Sequence, residues 1–342
     1  MHRLFAIFVL TFIFTTTDIG QAISENLYSA SINFEVMGST AHITVITRDQ
    51  KTSDQALDLA QTVLQQTAAL LDINTPGSPV LKINNTAYNN PVKIESDLFE
   101  LLITARNYSI ITNGIFDITR PSLVDLLQKG TTSGLTPPPE GISDTKIKAG
   151  YERILLDQGS RTIGFAVRGM EIDLQEIAPG FVVDMALEEL IKSNALGGLV
   201  NLRGDTRCFG LTIKGEKSWK TYIKKPGDPD TVLFSLWIEE GAVAIKDDYN
   251  PSAAVHTPNS GQRQSNLIIV TNTAMKAAAM ASATASLNPE EGIKLIKGIP
   301  GTEALILESS GKRTIKSYTD NIWDYIGDPD IDAVSSATPK FN

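Results

Sequence analysis

Strand-like and helix-like segments follow one another along this chain without the even strand–helix–strand spacing that a doubly wound parallel sheet requires, and that irregularity sets the fold class. Residues 27–48 alternate in polarity around Met37-Gly38-Ser39, with Ile32, Phe34 and Val36 on one side and Ile43 and Val45 on the other. This is the pattern of two strands joined by a turn. Over residues 54–71 the apolar positions change to a helical period, with Ala56, Ala60, Val63, Leu64 and Leu71 on one face. A Pro- and Gly-punctuated loop follows at 74–79, and Ser96 stands where an N-cap would open a helix carrying Leu98, Leu101, Leu102 and Ala105. Residues 181–194 read as a helix stopped by Gly197-Gly198. Strand-like runs lie at 198–202, 209–213, 233–238, 266–270 and 303–307, and residues 273–287, rich in Ala and Met, have a helical period. Small residues there let another element come close. The expectation is an α+β fold, mixed sheets with packed helices in two interleaved subdomains.

Thirty Lys and Arg against 39 Asp and Glu give a net charge of −9, which lacks the basic footprint of a nucleic-acid binder. Cys208 is the single cysteine, so no intramolecular disulfide and no cysteine-based metal cluster can form. The three histidines, His2, His42 and His256, are too few for a multi-histidine zinc site. Residues 1–22 have the arrangement of an export signal: Arg3, an apolar run at 4–14, then Gly20 and Ala22 spaced as a cleavage site. That run is shorter than the roughly 20 residues a membrane span needs. No cysteine follows the site for a lipid anchor, so the expected mature protein is exported, periplasmic or extracytoplasmic, with no transmembrane segment and not a lipoprotein. The three consecutive prolines at 137–139 mark a surface loop. Residues 319–342 read as a solvated acidic tail, carrying Asp320, Asp324, Asp328, Asp330 and Asp332.

Several short motifs occur in a telling order. Met37-Gly38-Ser39-Thr40 lies in the first hairpin, and Ser78 is followed six residues later by Asn84. Asn113-Gly114-Ile115-Phe116-Asp117-Ile118-Thr119 comes next, then Gly150-Tyr151 and Ile172-Asp173-Leu174. Ile177-Ala178-Pro179-Gly180 runs into Asp184, and Asn201-Leu202-Arg203-Gly204-Asp205 and Pro258-Asn259-Ser260-Gly261 complete the set. Taken singly, Phe116 is a core residue and Gly38, Gly114, Gly180 and Gly204 are turn glycines. Taken together, the set resembles the FAD:protein FMN transferases, the ApbE family, over about residues 34–318, which makes 23–318 one ApbE-like domain.

The resemblance implies binding of FAD or FMN, and transfer of the FMN half of FAD to a Thr or Ser hydroxyl of a partner protein, assisted by Mg²⁺. A hard cation of this kind takes oxygen ligands, including at least one carboxylate. The flavin-binding positions it implies are Met37, Ser78, Asn84, Phe116, Asp117, Thr119, Asp184, Arg203, Gly204 and Asp205. The implied metal positions are Ala178 and Ser282, and His256 is the candidate catalytic base of a working transferase with relocated ligands.

Several positions depart from the family pattern. The family's Ala-Asp-x-x-x-Thr helix reads Ala277-Ala278-Ala279-Met280-Ala281-Ser282, so Ala278 replaces the carboxylate and Ser282 the Thr. Pro179 stands in place of a Lys, and Arg203 in place of a Gly. The family's Thr-Ser-Gly-Asp-Tyr reads Ile245-Lys246-Asp247-Asp248-Tyr249, and its His falls on Ala254, with His256 two places away. One reading is a degenerate site in which Arg203 and Lys246 face a flavin phosphate. Another is a working transferase that draws its metal ligand from Asp247 or Asp248. A third is a scaffold that keeps the fold without the flavin. Finally, Asp332-Ala333-Val334-Ser335-Ser336-Ala337-Thr338 resembles the flavinylation signal that these transferases modify, with Ser336 in place of its Gly. Covalent FMN on Thr338 would make the protein an extracytoplasmic electron carrier, with redox or flavinylation proteins as partners.

Overall fold

The computed structural model describes residues 27–72, 77–119, 148–246, 265–310 and 313–327. The first hairpin is as expected: β1 (Tyr28–Val36) and β2 (Ser39–Thr47) pair antiparallel. Helix α1 (Gln50–Leu71) starts earlier than its apolar period, because the Asp49 carboxylate caps it by accepting from the Thr52 N–H at 2.9 Å. A short helix, α2 (Pro79–Thr86), follows the expected loop, with Ser78 Oγ capping Leu81 N–H and Pro79 at the first helical position. Ser96 is the first residue of α3 (Ser96–Ile111) rather than its cap.

Beyond β3 (Val92–Lys93), β4 (Ile154–Asp157) and β5 (Thr162–Phe165), which form a small sheet, come α4 (Ala178–Lys192), β6 (Gly197–Leu202) and β7 (Asp205–Gly210). The remaining strands are β8 (Trp219–Lys225), β9 (Asp228–Ile238), β10 (Gly241–Lys246), β11 (Ser265–Thr271), β12 (Glu303–Ser310), β13 (Arg313–Tyr318) and β14 (Ile326–Gly327). Helices α5 (Ala274–Ala285) and α6 (Pro289–Lys297) lie between β11 and β12. The eight-stranded sheet has the order β1-β2-β6-β7-β10-β11-β12-β13, and β14-β9-β8 form a third sheet. The α+β class holds, but every described pairing is antiparallel, so the sheets are not mixed.

Both faces of the large sheet are covered. Ala242, Ala244, Leu267, Ile269, Ala304 and Ile306 face the helices. Their neighbours Val243, Ile268, Val270, Leu305 and Leu307 join Ile223, Leu236 and Ile238 of the three-stranded sheet in a second core. Two-sided burial explains why these strands read as continuous apolar runs rather than alternating ones. On the helical side the alanines let α5 lie close. A Cβ at Gly180 of α4 would fall on the Ala274 carbonyl oxygen, so the partner that the small residues admit is α4.

Two other expectations change. Gly197 and Gly198 do not stop a helix: α4 ends at Lys192, and these glycines belong to β6, where a Cβ on Gly197 would strike the Leu211 backbone. The start of the expected acidic tail is also packed. Residues 320–325 form a 3-10 turn whose Ile322 is fully buried in the second core, and β14 pairs with β9. The packed region therefore reaches Gly327 rather than ending at 318, because Ile322, Trp323 and Tyr325 are interleaved with the aspartates. The 1–22 segment, the proline loop, His256 and Thr338 lie outside the described residues.

Candidate functional site

Two tight turns and a strand end meet at one end of the large sheet. Met37 and Gly38, at φ +51° and +71°, join β1 to β2; Arg203 and Gly204, at +56° and +85°, join β6 to β7. Both are two-residue hairpins with positive φ at each central position, the geometry that suits the twist of paired strands. Ala41 pairs with Leu202, which sets the two turns side by side. Across β7, Asp205 pairs with Ala244, and the Ile245 N–H donates to the Gly204 carbonyl at 3.1 Å. A Cβ on Gly204 would fall on the Ile245 carbonyl, so glycine is obligatory there. β10 then ends at Lys246, and the connection 247–264, which holds Asp247, Asp248 and His256, lies outside the described residues.

The charges at this end are concentrated on Asp205. Its side chain is fully buried, and Lys246 Nζ donates to its Oδ1 at 3.1 Å. Its other oxygen, Oδ2, has no hydrogen-bond partner among the described residues. Burial pushes the carboxyl up to about 6, against the pull of Lys246; Glu176 raises it further and Arg203 lowers it. Glu176, just before α4, is a neighbour that the sequence did not single out. Arg203 itself points to solvent.

A second group of the expected residues is stitched together elsewhere. Asp117 Oδ1 accepts from Thr119 N–H and Oγ1–H, at 2.9 and 2.7 Å, and its Oδ2 accepts from Tyr151 N–H at 3.0 Å. Thr119 Oγ1 in turn accepts from Gly150 N–H at 2.7 Å. The Asn84 amide brackets Ile172: Nδ2 donates to its carbonyl and Oδ1 accepts from its N–H, both at 2.9 Å. Ser78 is spent on its helix cap, and Phe116 is buried in the helical-side core, against which Met37 also packs. Asp184 is occupied as well, its carboxylate accepting from Ala274 and Met275 N–H and from Arg207. Arg207 also reaches Glu188 at 2.9 Å, a bridge that the Asp184/Glu188 helical spacing could have suggested.

The described residues do not fit a magnesium ion. Ala278 is fully buried and offers only a methyl group, and Ser282, on the same helix, offers one hydroxyl. Ala178 is buried and has no side-chain oxygen either. Asp184 is committed to a helix end, and Asp205 gives Oδ1 to Lys246, which leaves one buried oxygen, Oδ2, beside a lysine. No group of three His, Cys, Asp or Glu suited to a metal occurs among the described residues.

Residues 37–306 match the ApbE family. The chain belongs to that family. Among curated ApbE-family relatives, the FAD:protein FMN transferase of Haemophilus influenzae is 29% identical over 203 residues, 57% of this chain and 58% of the relative. That of Klebsiella pneumoniae is 25% identical over 215 residues, 63% and 65% of the two chains. The matched stretches thus span less than two thirds of either relative. In three dimensions the fold is similar to the ApbE protein of Thermotoga maritima, with a TM-score of 0.74 and 22% identity over 88% of this chain and all of the other. It is also similar to the flavin transferase ApbE of Vibrio cholerae, at 0.72 and 18% over 87% and 99%.

Proposed function

We propose that this ApbE-family chain is an exported flavin-binding protein that has lost metal-dependent FMN transfer. The observation that supports the loss is Ala278. It is sealed in the packed interior at the helix position where the family's pattern places a carboxylate, and no described acid takes its place. What remains suits binding without metal: two glycine turns, with Arg203 and Lys246 near them as counter-charges for a phosphate. The tail motif supports a carrier role, with Thr338 esterified by a competent transferase. In that step the Thr338 Oγ–P bond forms, AMP leaves, and the hydroxyl proton passes to that enzyme's base.

The test is FAD binding and FMN transfer by the mature protein, with magnesium and with a chelator. The expected result is flavin affinity that the chelator leaves within a factor of two, and no mass gain on a Thr-bearing acceptor peptide. Chelator-sensitive transfer would instead establish a working metal-dependent transferase, with Asp247, Asp248 and His256 then the candidates for ligand and base. No flavin affinity at all would leave a scaffold. Intact mass after coexpression with a competent transferase, with Thr338→Ala as control, tests the carrier role.

A further inference from the structure

Each of the three sheets has two edge strands, and five of these six are short or carry cations in their sequence. β3 and β14 are two residues long and β4 is four. β8 holds Lys220, Lys224 and Lys225, and β13 holds Arg313 and Lys316. Short strands and lysines are devices that keep sheet edges from pairing. β1 has neither. It is nine residues long, contains no Pro, Lys or Arg, and runs beside β2 without a bulge. Among the described residues its other side has no strand partner.

Both faces of β1 are set for a further strand. Met37 and Gly38 close the hairpin in two residues, so Val36 and Ser39 exchange backbone hydrogen bonds, as do Phe34, Ile32, Ala30 and Tyr28 with their partners. The N–H and C=O groups of Ser29, Ser31, Asn33 and Glu35 therefore point out of the sheet edge. The side chains of three of these residues are drawn back across β2 and leave the edge clear. Ser31 Oγ meets Thr44 Oγ1 at 2.8 Å, Asn33 Oδ1 meets His42 Nδ1 at 2.7 Å, and the Glu35 carboxylate accepts from the Thr40 hydroxyl. On the opposite face Ala30, Ile32, Phe34 and Val36 lie against the helical-side core but are only half-buried.

We propose that β1 pairs antiparallel with β1 of a second copy of this chain about a two-fold axis at Ile32, joining the two large sheets edge to edge. The strand is complementary to itself in this register. Ala30 falls opposite Phe34, Tyr28 opposite Val36 and Ile32 opposite Ile32, so apolar meets apolar and a small side chain meets a large one. Ser31 then faces Asn33 and Ser29 faces Glu35, the residues whose backbone groups point outward, and no like charges meet. Other two-fold registers that keep the faces matched pair fewer residues than these nine. The occupant is a second copy because one sequence satisfies both sides of the junction. The inference does not depend on flavin binding or on the tail.

Sedimentation equilibrium of the full mature chain, from nanomolar to hundred-micromolar concentration, tests the assembly, and cysteine pairing tests the register. The expected result is a reversible monomer–dimer equilibrium. Ser31→Pro deletes an outward N–H that β2 does not use, and should raise the dissociation constant at least tenfold while the circular dichroism stays that of the parent. In the proposed register Ile32 faces Ile32 in a non-hydrogen-bonded pair, with Cα atoms about 4.5 Å apart and within disulfide reach. Ile32→Cys should therefore give a disulfide-linked dimer on mild oxidation. Ala30→Cys alone should not, but it should link to Phe34→Cys when the two variants are mixed. Cys208 is buried and does not compete. A parent that stays monomeric throughout would overturn the proposal, as would a dimer in which Ile32→Cys fails to link or Ala30→Cys links to itself. A dimer that a folded Ser31→Pro variant leaves unchanged would overturn it too.

Discussion

Asp184 closes the N-terminus of a helix ninety residues away, its Oδ1 accepting from Ala274 N–H at 2.9 Å. Its Oδ2 takes the next amide, Met275 N–H, at the same distance. Two of the donors that the first turn of α5 cannot satisfy internally are thus met by α4, and a negative charge sits at the positive end of the helix. Arg207 balances that charge at 3.3 Å. Burial nonetheless holds the Asp184 carboxyl above the usual carboxylate range.

Asp184→Asn keeps the shape but discards the charge, and leaves Arg207 with Glu188 as its only carboxylate partner among the described residues. A loss of about 2–4 kcal/mol of stability is expected, as for a broken buried charge pair. Urea unfolding measures it. Unchanged stability would mean that the carboxylate serves a ligand rather than the fold.

Asp205 predicts a pH dependence. Its carboxyl, ordinarily near 3.8, is pushed up to about 6 in the folded protein, so between these values the native state holds a proton that the unfolded chain has released. Stability from this group is complete below about pH 4 and is lost as the pH rises through 6, on the order of 2–3 kcal/mol. The Asp205→Asn variant lacks this component. The stability difference between parent and variant should therefore slope downward from pH 4 to 6, read from unfolding curves at matched ionic strength.

The Arg203-Gly204 turn sets two opposite substitutions side by side. Arg203 is a non-glycine residue at φ +56° with its side chain in solvent, so Arg203→Gly relieves backbone strain. The gain should be about 0.5–1 kcal/mol once the greater freedom of an unfolded glycine is subtracted. Gly204→Ala is costly, because its Cβ would meet the Ile245 carbonyl at a φ that alanine disfavours. Thermal unfolding should show a higher midpoint for the first variant and a lower one for the second.

Local signals carried much of this fold, and long-range ones carried the rest. The first hairpin, α1, α4 and the apolar strands follow from period and turn residues that lie within a few positions of one another. The role of Gly197 does not, since it depends on the Leu211 backbone across a strand pair. Nor does the packing of residues 320–325, where aspartates mask Ile322 and where Trp323 meets Tyr318 edge-on at 5.0 Å. The ordered motifs pointed to the right family, but not to what each side chain does. Asp117, Asn84 and Asp184 stand in flavin-associated motifs, yet their oxygens are engaged with backbone groups 2 to 91 residues away, which no spacing in the sequence reveals.

Asn84 gives the sharpest separation between holding the fold and holding a ligand. Its amide pairs with both backbone groups of Ile172, linking α2 to the segment that leads into α4. Asn84→Ala removes both partners and strands a donor and an acceptor in a half-buried setting, at a cost of about 2 kcal/mol. Asn84→Asp keeps the acceptor for the Ile172 N–H but sets a carboxylate against its carbonyl, so it should recover less than half of that loss. If Asn84 acts through position alone, flavin affinity should track stability across the two variants. Under conditions where each variant is fully folded, affinity within a factor of two of the parent is expected by titration calorimetry. A tenfold loss in a fully folded Asn84→Ala protein would instead place the amide on the ligand.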